Sequence, residues 1–400
     1  MNKSYLLQLP LFNKKHQLKL NKFAVYNCCL IATTSIPIFL VGLFNLAIDP
    51  QDIFKTPHYA NLNHEKIKKD NNDRLFKAID IIHLQPNAII VGSSRTKQGI
   101  NPEATALASQ DFYNLALNGP NFYEVKRYIE HAIYNQPNLE EIILGIDFFM
   151  FNEDLANQPT FNEARLEKKH IVVDDAIKNL FSIDTFKNSM DTIKASQKSP
   201  DTIDENYGDN GFMPYRNFNN GEAIWRFHQS IKLYFSLHSN YQFSQSYWND
   251  FQEIVQLCKE NNIKLTVFIS PSHATQWESI YATKRWDVFE QWKRDLVNIV
   301  PVWDFSGYNS ITTEPIAKYM KNYVDNSHYT PEIGDLILQR ILNKPSQNVP
   351  TDFGVLLTSE NIEEHLQTIK SDRSIWLQNN SEEAEMVRNF YLEVNSSNDE

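Results

Sequence analysis

Short runs of β-branched and other apolar residues, separated by segments with helical periodicity, most constrain the fold of this chain. The runs end at turn residues and lie too far apart to pair as hairpins. Strands separated by helices favour right-handed crossovers and therefore a parallel sheet. We predict an α/β three-layer sandwich with a mostly parallel sheet flanked by helices and strands at 88–91, 112–117, 141–147, 264–269 and 301–305.

Helices are predicted between these strands, at 73–84, 103–109, 122–134 and 250–262, and after Pro331. The alternation breaks between residues 151 and 247, which are aromatic, polar and irregular. A long insertion after the carboxyl end of a strand lies beside the usual ligand site, so it is either a substrate-binding cap or a structural subdomain remote from the chemistry. Tyr215 and Arg216 are its candidate substrate-binding residues. The acidic extension 346–400 is predicted to hold two short helices, 359–370 and 381–394, on a mobile tail.

Residues 23–48 carry no charge and are long enough to cross a bilayer, since 26 residues exceed the roughly 20 that a helix needs. Every charged residue before them is a lysine, whereas Asp49 and Asp52 follow. This asymmetry predicts a cytoplasmic N-terminus (1–22), a single-pass anchor (23–48) and a periplasmic or cell-surface main domain. Two alternatives stay open: a cleaved signal peptide, for which 45–50 offers no good cleavage site, and a buried helix, which Pro37 and Asn45 favour.

The composition excludes some classes of function. The net charge is −11, of which −8 lies in residues 346–400, so the rest is nearly neutral and lacks the basic face of a nucleic-acid binder. Cys28 and Cys29 lie in the predicted anchor and Cys258 is alone, so the exported part has no disulfide framework. The histidines show no metal-ligand spacing, and we predict neither a metal nor a cofactor. Residues 49–85 form a linker and first helix, and 86–345 form the main domain.

The first candidate chemical site is the turn that follows the strand at 88–91. Gly92, Ser93, Ser94 and Arg95 come directly after the strand, and a helix begins behind them. The Ser94 hydroxyl is then at the carboxyl edge of the sheet and near a helix N-terminus, which suits a nucleophile that generates an oxyanion. An ordinary buried strand followed by a Gly-Ser turn has the same pattern.

The second candidate site lies in the loop before the helix that starts at Pro331. Thr330 is a suitable N-cap, and Asp325 and His328 precede it. An imidazole here can act as a general base while the carboxylate accepts its other N–H. Local capping by the same two residues is the alternative.

Together these segments resemble the SGNH (GDSL-type) hydrolase superfamily, over about 86–150 and 250–343. Ser94 matches the nucleophile block, with Ser93 where many members carry aspartate, and Asp325 and His328 match the final block. Residues 114–119 resemble the second block. The resemblance implies an SGNH/flavodoxin-like fold, a Ser-His-Asp triad, and an oxyanion hole that includes the N–H groups of Ser94 and Gly119.

The chain departs from this pattern at Asp147. The third block of the family normally ends in an asparagine, whose amide donates to the oxyanion. An ionised carboxylate cannot donate and repels developing negative charge. We therefore expect that Asp147 turns away or that Asn118, Arg95 or His273 donates instead; Arg95 and His273 are also candidate substrate-binding residues.

The anchor together with the Gly-Ser-Ser block is similar to the cell-surface members of the superfamily that act in alginate O-acetylation and D-alanyl-lipoteichoic acid transfer. This similarity implies an esterase or O-acyltransferase acting on acyl esters, most simply acetyl esters, of a surface or extracellular polysaccharide. It also implies a multi-spanning membrane acyltransferase as partner. Two other hypotheses stay open: a non-catalytic, anchored glycan-binding or scaffold protein that keeps the fold, and a soluble α/β domain with a chance set of motifs.

Overall fold

The apolar runs of the sequence form one six-stranded sheet, and helices cover both of its faces. The computed structural model describes residues 22–198, 208, 210–215, 218, 220–344 and 348–396. The strands are β1 (Ala88–Val91), β2 (Phe112–Asn114), β3 (Glu141–Ile146), β4 (Lys264–Ile269), β5 (Val302–Asp304) and β6 (Val355–Leu357). Their order is β2-β1-β3-β4-β5-β6, and every neighbouring pair is parallel except β5 and β6. The predicted α/β class and mostly parallel sheet are confirmed.

The helices connect and cover these strands. They are α1 (Lys22–Ile48), α2 (Asp73–Leu84), α3 (Ser94–Gly99), α4 (Phe122–Asn135), α5 (Glu163–Leu166), α6 (Val173–Phe181), α7 (Ile183–Ser196), α8 (Ala223–Ser239), α9 (Gln245–Glu260), α10 (Ala274–Ala282), α11 (Trp286–Ile299), α12 (Pro331–Ile341), α13 (Ile362–Asn379) and α14 (Ser381–Ser396). Short 3-10 turns add Lys69–Asn72, Thr105–Leu107 and Phe148–Phe151.

The strand order places a topological switch point at the carboxyl ends of β1 and β3. Strands 2-1-3-4-5 run in the order of flavodoxin-like sheets, and β2 and β3 lie on opposite sides of β1. The connections therefore reverse direction between β1 and β3, and ligands of open α/β sheets bind outside the carboxyl ends at such a point. The residues after β1 begin with Gly92 and those after β3 with Asp147, so the first candidate site lies at this point.

Side chains of the strands point alternately to the two faces of the sheet and pack in a separate hydrophobic core on each face. Ile89 and Val91 of β1 pack in the core that also contains Val125 and Ile129 of α4. Ala88, Ile90 and residues of α12 belong to the core on the other face. Because both faces of β1 are buried, its sequence is a continuous apolar run rather than an alternating pattern.

Some elements differ from the sequence prediction for local reasons. The predicted strand 112–117 ends at Asn114, whose side-chain oxygen accepts the Ala116 N–H at 3.1 Å and turns the chain. The predicted helix 103–109 is only the single turn Thr105–Leu107. The irregular insertion contains helices α5 to α8. The acidic extension adds β6 to the sheet edge and forms helices longer than predicted, which pack on the domain: α13 contacts α11, and α14 contacts α8 and α10.

Helix α1 is the one segment of the described chain long and apolar enough to cross a membrane. Its residues 23–40 are exposed, apart from the half-buried Ala24, whereas Gly42, Asn45 and Ile48 are buried against the domain. The chain after α1 lies as a strap on the domain. Lys66 Nζ donates to the carbonyls of Ile48 and Asp49, both at 2.8 Å. These two bonds hold the strap to the end of α1, and Lys55 of the strap pairs with Asp80 of α2, so the end of α1 is attached to the domain.

Candidate active site

Residues 92–95 form the turn that carries the candidate nucleophile Ser94, and we call it the nucleophile turn. At Gly92 this turn approaches its neighbours so closely that only glycine fits. A Cβ on Gly92 would lie 2.4 Å from the Thr96 hydroxyl and 2.7 Å from the Gly145 carbonyl oxygen of β3. Ser93 then caps α3, since its hydroxyl oxygen accepts the Arg95 N–H at 3.2 Å. Ser94 is the first residue of α3, and its half-buried side chain is at the carboxyl edge of the sheet.

Ser94, His328 and Asp325 form one hydrogen-bonded chain. The Ser94 hydroxyl lies 2.9 Å from His328 Nε2, across 234 positions of sequence. His328 Nδ1 lies 2.8 Å and 3.0 Å from the two Asp325 carboxylate oxygens. A carboxylate can only accept, so Nδ1 of the neutral ring carries the proton and Nε2 accepts from the serine hydroxyl. This is the arrangement that a general base needs.

Asp325 is held in its ionised form by its own loop. One carboxylate oxygen accepts the backbone N–H groups of Ser327, at 2.7 Å, and His328, at 2.9 Å. Burial opposes ionisation, but the His328 ring and these two N–H groups together lower the pKa of the Asp325 carboxyl below its ordinary value. The side chains of His328 and Asp325 are 19% and 17% exposed, so the chain of hydrogen bonds opens to solvent.

Asp147 is a buried carboxylate with a partner on each of its oxygens. One of its oxygens accepts the Ser93 hydroxyl, and the other accepts Arg95 Nη1 at 2.7 Å. Burial disfavours charge on Arg95, but the adjacent Asp147 carboxylate and Tyr234 raise the pKa of the guanidinium. Both carboxylate oxygens are thus engaged by residues that flank Ser94, so the negative charge of Asp147 is balanced by the Arg95 guanidinium.

Arg95 also connects the nucleophile turn to the loop that contains Asp325 and His328. Its Nε donates to the Ser327 hydroxyl at 2.8 Å, and Ser327 precedes His328. The guanidinium lies over the rings of Phe149 and Tyr234, at 5.4 Å and 5.3 Å from their centroids. Arg95 is 3% exposed, so its position is structural rather than that of an exposed substrate ligand. Sequence reasoning missed Ser327, Tyr234 and Phe149, because no local pattern connects residues so distant in sequence.

Residues 114–119, which follow β2, lie beside the nucleophile turn. Leu117 N–H donates to the Gly92 carbonyl at 3.0 Å, which carries the chain past the end of β1. Asn118 is held through its backbone: its N–H donates to Asp73 at 2.8 Å, and its carbonyl accepts Arg74 at 2.8 Å. Gly119 follows with φ +50, a left-handed conformation that favours glycine. Within the described part of the chain, neither the Ser94 N–H nor the Gly119 N–H has a hydrogen-bond partner.

The other predicted site residues are not brought to the triad as free donors. His273 is fully buried and caps α10: its Nδ1 accepts the Thr275 N–H at 3.3 Å, and its Nε2 lies 2.7 Å from the Glu314 carbonyl oxygen. Burial lowers the pKa of His273 to about 4, although the Glu314 carbonyl opposes this. Tyr215 is half-buried, and Arg216 lies outside the described residues. Among the described residues, no group of three or more His, Cys, Asp or Glu side chains could hold a metal.

A contact between two glycines fixes the distance between the serine and histidine segments. Helix α3 starts at Ser94 and ends at Gly99, and α12 starts three residues after His328. A Cβ on Gly334 of α12 would lie 1.7 Å from the Gly99 carbonyl oxygen, and one on Gly99 would lie 2.0 Å from the Tyr329 ring. Both helices therefore approach through bare backbone, which brings the hydroxyl within reach of the imidazole.

We expect Gly334→Ala to destabilise the protein, although alanine is the better helix former by about 1 kcal/mol. The added methyl meets backbone that cannot rotate away, and such overpacking costs about 1–3 kcal/mol. Denaturant unfolding of the detergent-solubilised protein measures the change, with the exposed neighbour Asp335→Ala as control. A Gly334→Ala protein as stable as the control would show that the two helices are not in this tight contact.

Comparison with known proteins adds no family. No protein-family model matches the chain, and a search of curated proteins finds no match. The argument for function therefore rests on the geometry of the site itself.

Proposed function

We propose that this protein is a membrane-anchored serine esterase or O-acyltransferase that acts on acyl esters of a surface or extracellular polysaccharide. The observation that carries the proposal is the chain of hydrogen bonds from Ser94 through His328 to Asp325. Its similarity to the SGNH pattern, at Ser94, Gly119, Asp325 and His328, supports the reaction class. The apolar helix α1 supports the location, and the lysines before it favour a cytoplasmic N-terminus with the domain on the opposite side.

In the proposed reaction, His328 removes the proton of the Ser94 hydroxyl as its oxygen attacks the carbonyl carbon of the ester. The N–H groups of Ser94 and Gly119 would donate to the oxyanion that forms, in place of the family's asparagine. His328 then returns the proton to the leaving alcohol, and Ser94 holds the acyl group as an ester. Water or a sugar hydroxyl, deprotonated by His328, would attack that ester and restore the Ser94 hydroxyl. A multi-spanning acyltransferase is a suitable partner for such a tethered enzyme.

A fluorophosphonate probe tests this proposal directly, because it phosphonylates only a serine with an activated hydroxyl. We expect the full-length protein in detergent or membranes to be labelled at Ser94, and Ser94→Ala and His328→Ala to lose the label. Ser109→Ala is a matched control, since Ser109 is exposed in an open cavity at the opposite, amino edge of the sheet.

Absence of labelling in a folded protein would contradict the enzymatic proposal. The non-catalytic hypothesis would then stand, and polysaccharide binding that Ser94→Ala leaves unchanged would support it. Labelling at Ser94 combined with release of acetate from acetylated polysaccharide supports hydrolysis. Labelling with acyl transfer to an added sugar, and little release into water, supports the transferase.

A further inference from the structure

Helices α6 and α7 form a hairpin that packs on the last turns of α1. Asn45 of α1 donates from Nδ2 to the Leu180 carbonyl at 2.8 Å and accepts the Ser189 hydroxyl at 3.1 Å. A Cβ on Gly42 would lie 2.5 Å from the Phe181 ring, so this ring packs directly on the α1 backbone where α6 crosses α1. The hairpin is thus attached to α1 between about residues 42 and 45.

The two hairpin helices expose a set of large apolar side chains, which we call the apolar band. Exposure reaches 73% at both Val173 and Ile183 and 52% at Ile177. The members lie three or four positions apart within each helix, and therefore on one side of it. The apolar band comprises Val173, Ile177 and Phe181 of α6, and Ile183, Phe186 and Met190 of α7.

Charged residues run beside the apolar band on the same two helices. Lys178 pairs with Asp174 at 2.6 Å and Lys187 with Asp184 at 3.5 Å, and all four side chains are highly exposed. Side chains of consecutive helical residues point about 100° apart around the helix axis. Lys178 therefore borders the apolar band at Ile177 and is not part of it. An apolar band bordered by charges is typical of helices that lie in a membrane interface.

The hairpin contacts α1 at the height at which the surface of the membrane is expected. The exposed part of α1, residues 23–40, is 18 residues long and spans about 27 Å at 1.5 Å per residue. The hydrocarbon core of a bilayer is about 30 Å thick. If the exposed part of α1 fills that core, the core ends where the hairpin contacts α1. Phe186, a member of the apolar band, has its ring 5.2 Å from that of Phe44 at this level.

We infer that the α6–α7 hairpin lies in the membrane interface and buries the apolar band among lipid acyl chains and headgroups. This inference rests on the membrane anchoring contained in the proposed function. The occupant of the band is lipid rather than a protein, because the band continues directly from the lipid-exposed surface of α1. The main domain is then attached to the membrane at two places and has a defined orientation, since the strap and hairpin both fix it to α1.

Site-specific fluorescence on the full-length protein tests the inference. Cys28 and Cys29 are replaced by serine, and the buried Cys258 remains, where burial raises the pKa of the thiol to about 12 and leaves it unreactive. A thiol-reactive, polarity-sensitive fluorophore is placed at Ile177→Cys or Ile183→Cys, with Lys178→Cys and Asp184→Cys as neighbouring controls. The labelled proteins are reconstituted alone into vesicles of phosphatidylcholine and phosphatidylglycerol.

At positions 177 and 183 we expect blue-shifted emission and quenching by lipids brominated high in the acyl chain. At positions 178 and 184 we expect the emission of a label in water and quenching by iodide. A label on Cys28, in a variant that changes only Cys29, reports on the anchor and is expected to be quenched by lipid. A circular dichroism spectrum and a denaturant-unfolding midpoint equal to those of the unaltered protein show that each variant is folded, whether or not Ser94 is labelled by a fluorophosphonate.

Each other outcome overturns the inference in a distinguishable way. Iodide quenching at 177 and 183 equal to that at 178 and 184, with Cys28 still quenched by lipid, refutes the hairpin's membrane contact and leaves the anchor intact. Protection at 177 and 183 without quenching by brominated lipid shows that protein, such as a second copy, covers the band. Iodide quenching of the Cys28 label would show that α1 is not in the membrane, and would therefore contradict both the anchor and the hairpin's membrane contact.

Discussion

The His328→Ala variant is expected to lose about six orders of magnitude in acyl-enzyme formation, the scale found when the base of a serine triad is removed. His328 Nε2 is the atom within 2.9 Å of the Ser94 hydroxyl, so no other described side chain can take that proton directly. Asp325→Ala is expected to lose about four orders of magnitude, because an unsupported imidazole still accepts a proton, but in the wrong orientation or tautomer. Initial rates of fluorophosphonate labelling, or turnover of an acetyl ester, measure both effects.

The double variant Ser94→Ala with His328→Ala distinguishes two hypotheses: that the two residues act together in a triad, and that they act independently. Substitutions of residues that act as one unit have non-additive effects, so the double variant should turn over an acetyl ester no more slowly than either single variant; fluorophosphonate labelling cannot be used here because Ser94 is absent. Equal rates for His328→Ala and the unaltered protein would show that the Ser94 contact has no chemical role. Ser109→Ala again serves as the control, and circular dichroism verifies that each variant is folded.

The Asp147→Ala variant is expected to lose about 3–5 kcal/mol of unfolding free energy, because it leaves the Arg95 guanidinium buried without its carboxylate. Both oxygens of Asp147 are engaged, by Ser93 and Arg95, and the Arg95 and Asp147 side chains are 4% and 0% exposed. Denaturant unfolding of the solubilised protein measures this loss. We expect Asp147→Asn to lose less, since its amide oxygen still accepts one of the two hydrogen bonds.

An exposed ion pair provides the matched control for Asp147. Glu363 pairs with Arg294 at 2.6 Å on the surface, and its side chain is 64% exposed. Solvent screens such a pair, so Glu363→Ala should change stability little. If Asp147→Ala were as stable as Glu363→Ala, the buried pair would not brace the nucleophile turn. If Asp147→Asn labelled faster than the unaltered protein, an amide would be acting in the oxyanion hole after all.

Strands and helices with strong local signals were predictable from sequence. The bounds of β1 and β4 agree with the prediction. Each strand ends in buried apolar residues, which glycine follows in β1 and serine and proline follow in β4. Helix α12 begins at Pro331 and ends at Ile341, in agreement with the predicted start and apolar face; Thr330 occupies the N-cap position, but its side chain makes no capping hydrogen bond. These elements depend on residues that are close in sequence, and their periodicity is therefore visible without the fold.

Elements that depend on distant partners were not predictable. β6 has only three residues and no pattern of its own; it forms because the edge of β5 offers unpaired hydrogen-bonding groups. The hairpin of α6 and α7 read as irregular, since it exposes apolar residues that a soluble helix would bury. Asp147 read as a defect of the oxyanion hole, whereas its charge is balanced by Arg95, which was considered only as a ligand or donor.

The sequence by itself determined the class of the fold, the apolar helix, and the types of residue at the two candidate sites. Each follows from composition, periodicity or turn residues within single segments of the chain and from the order of those segments. Only the tertiary structure decided that Ser94 meets His328, that Arg95 neutralises Asp147, and that the hairpin lies against α1. Those contacts join segments up to 234 positions apart. They depend on strand order and on close approaches such as Gly99 to Gly334, which no local periodicity encodes.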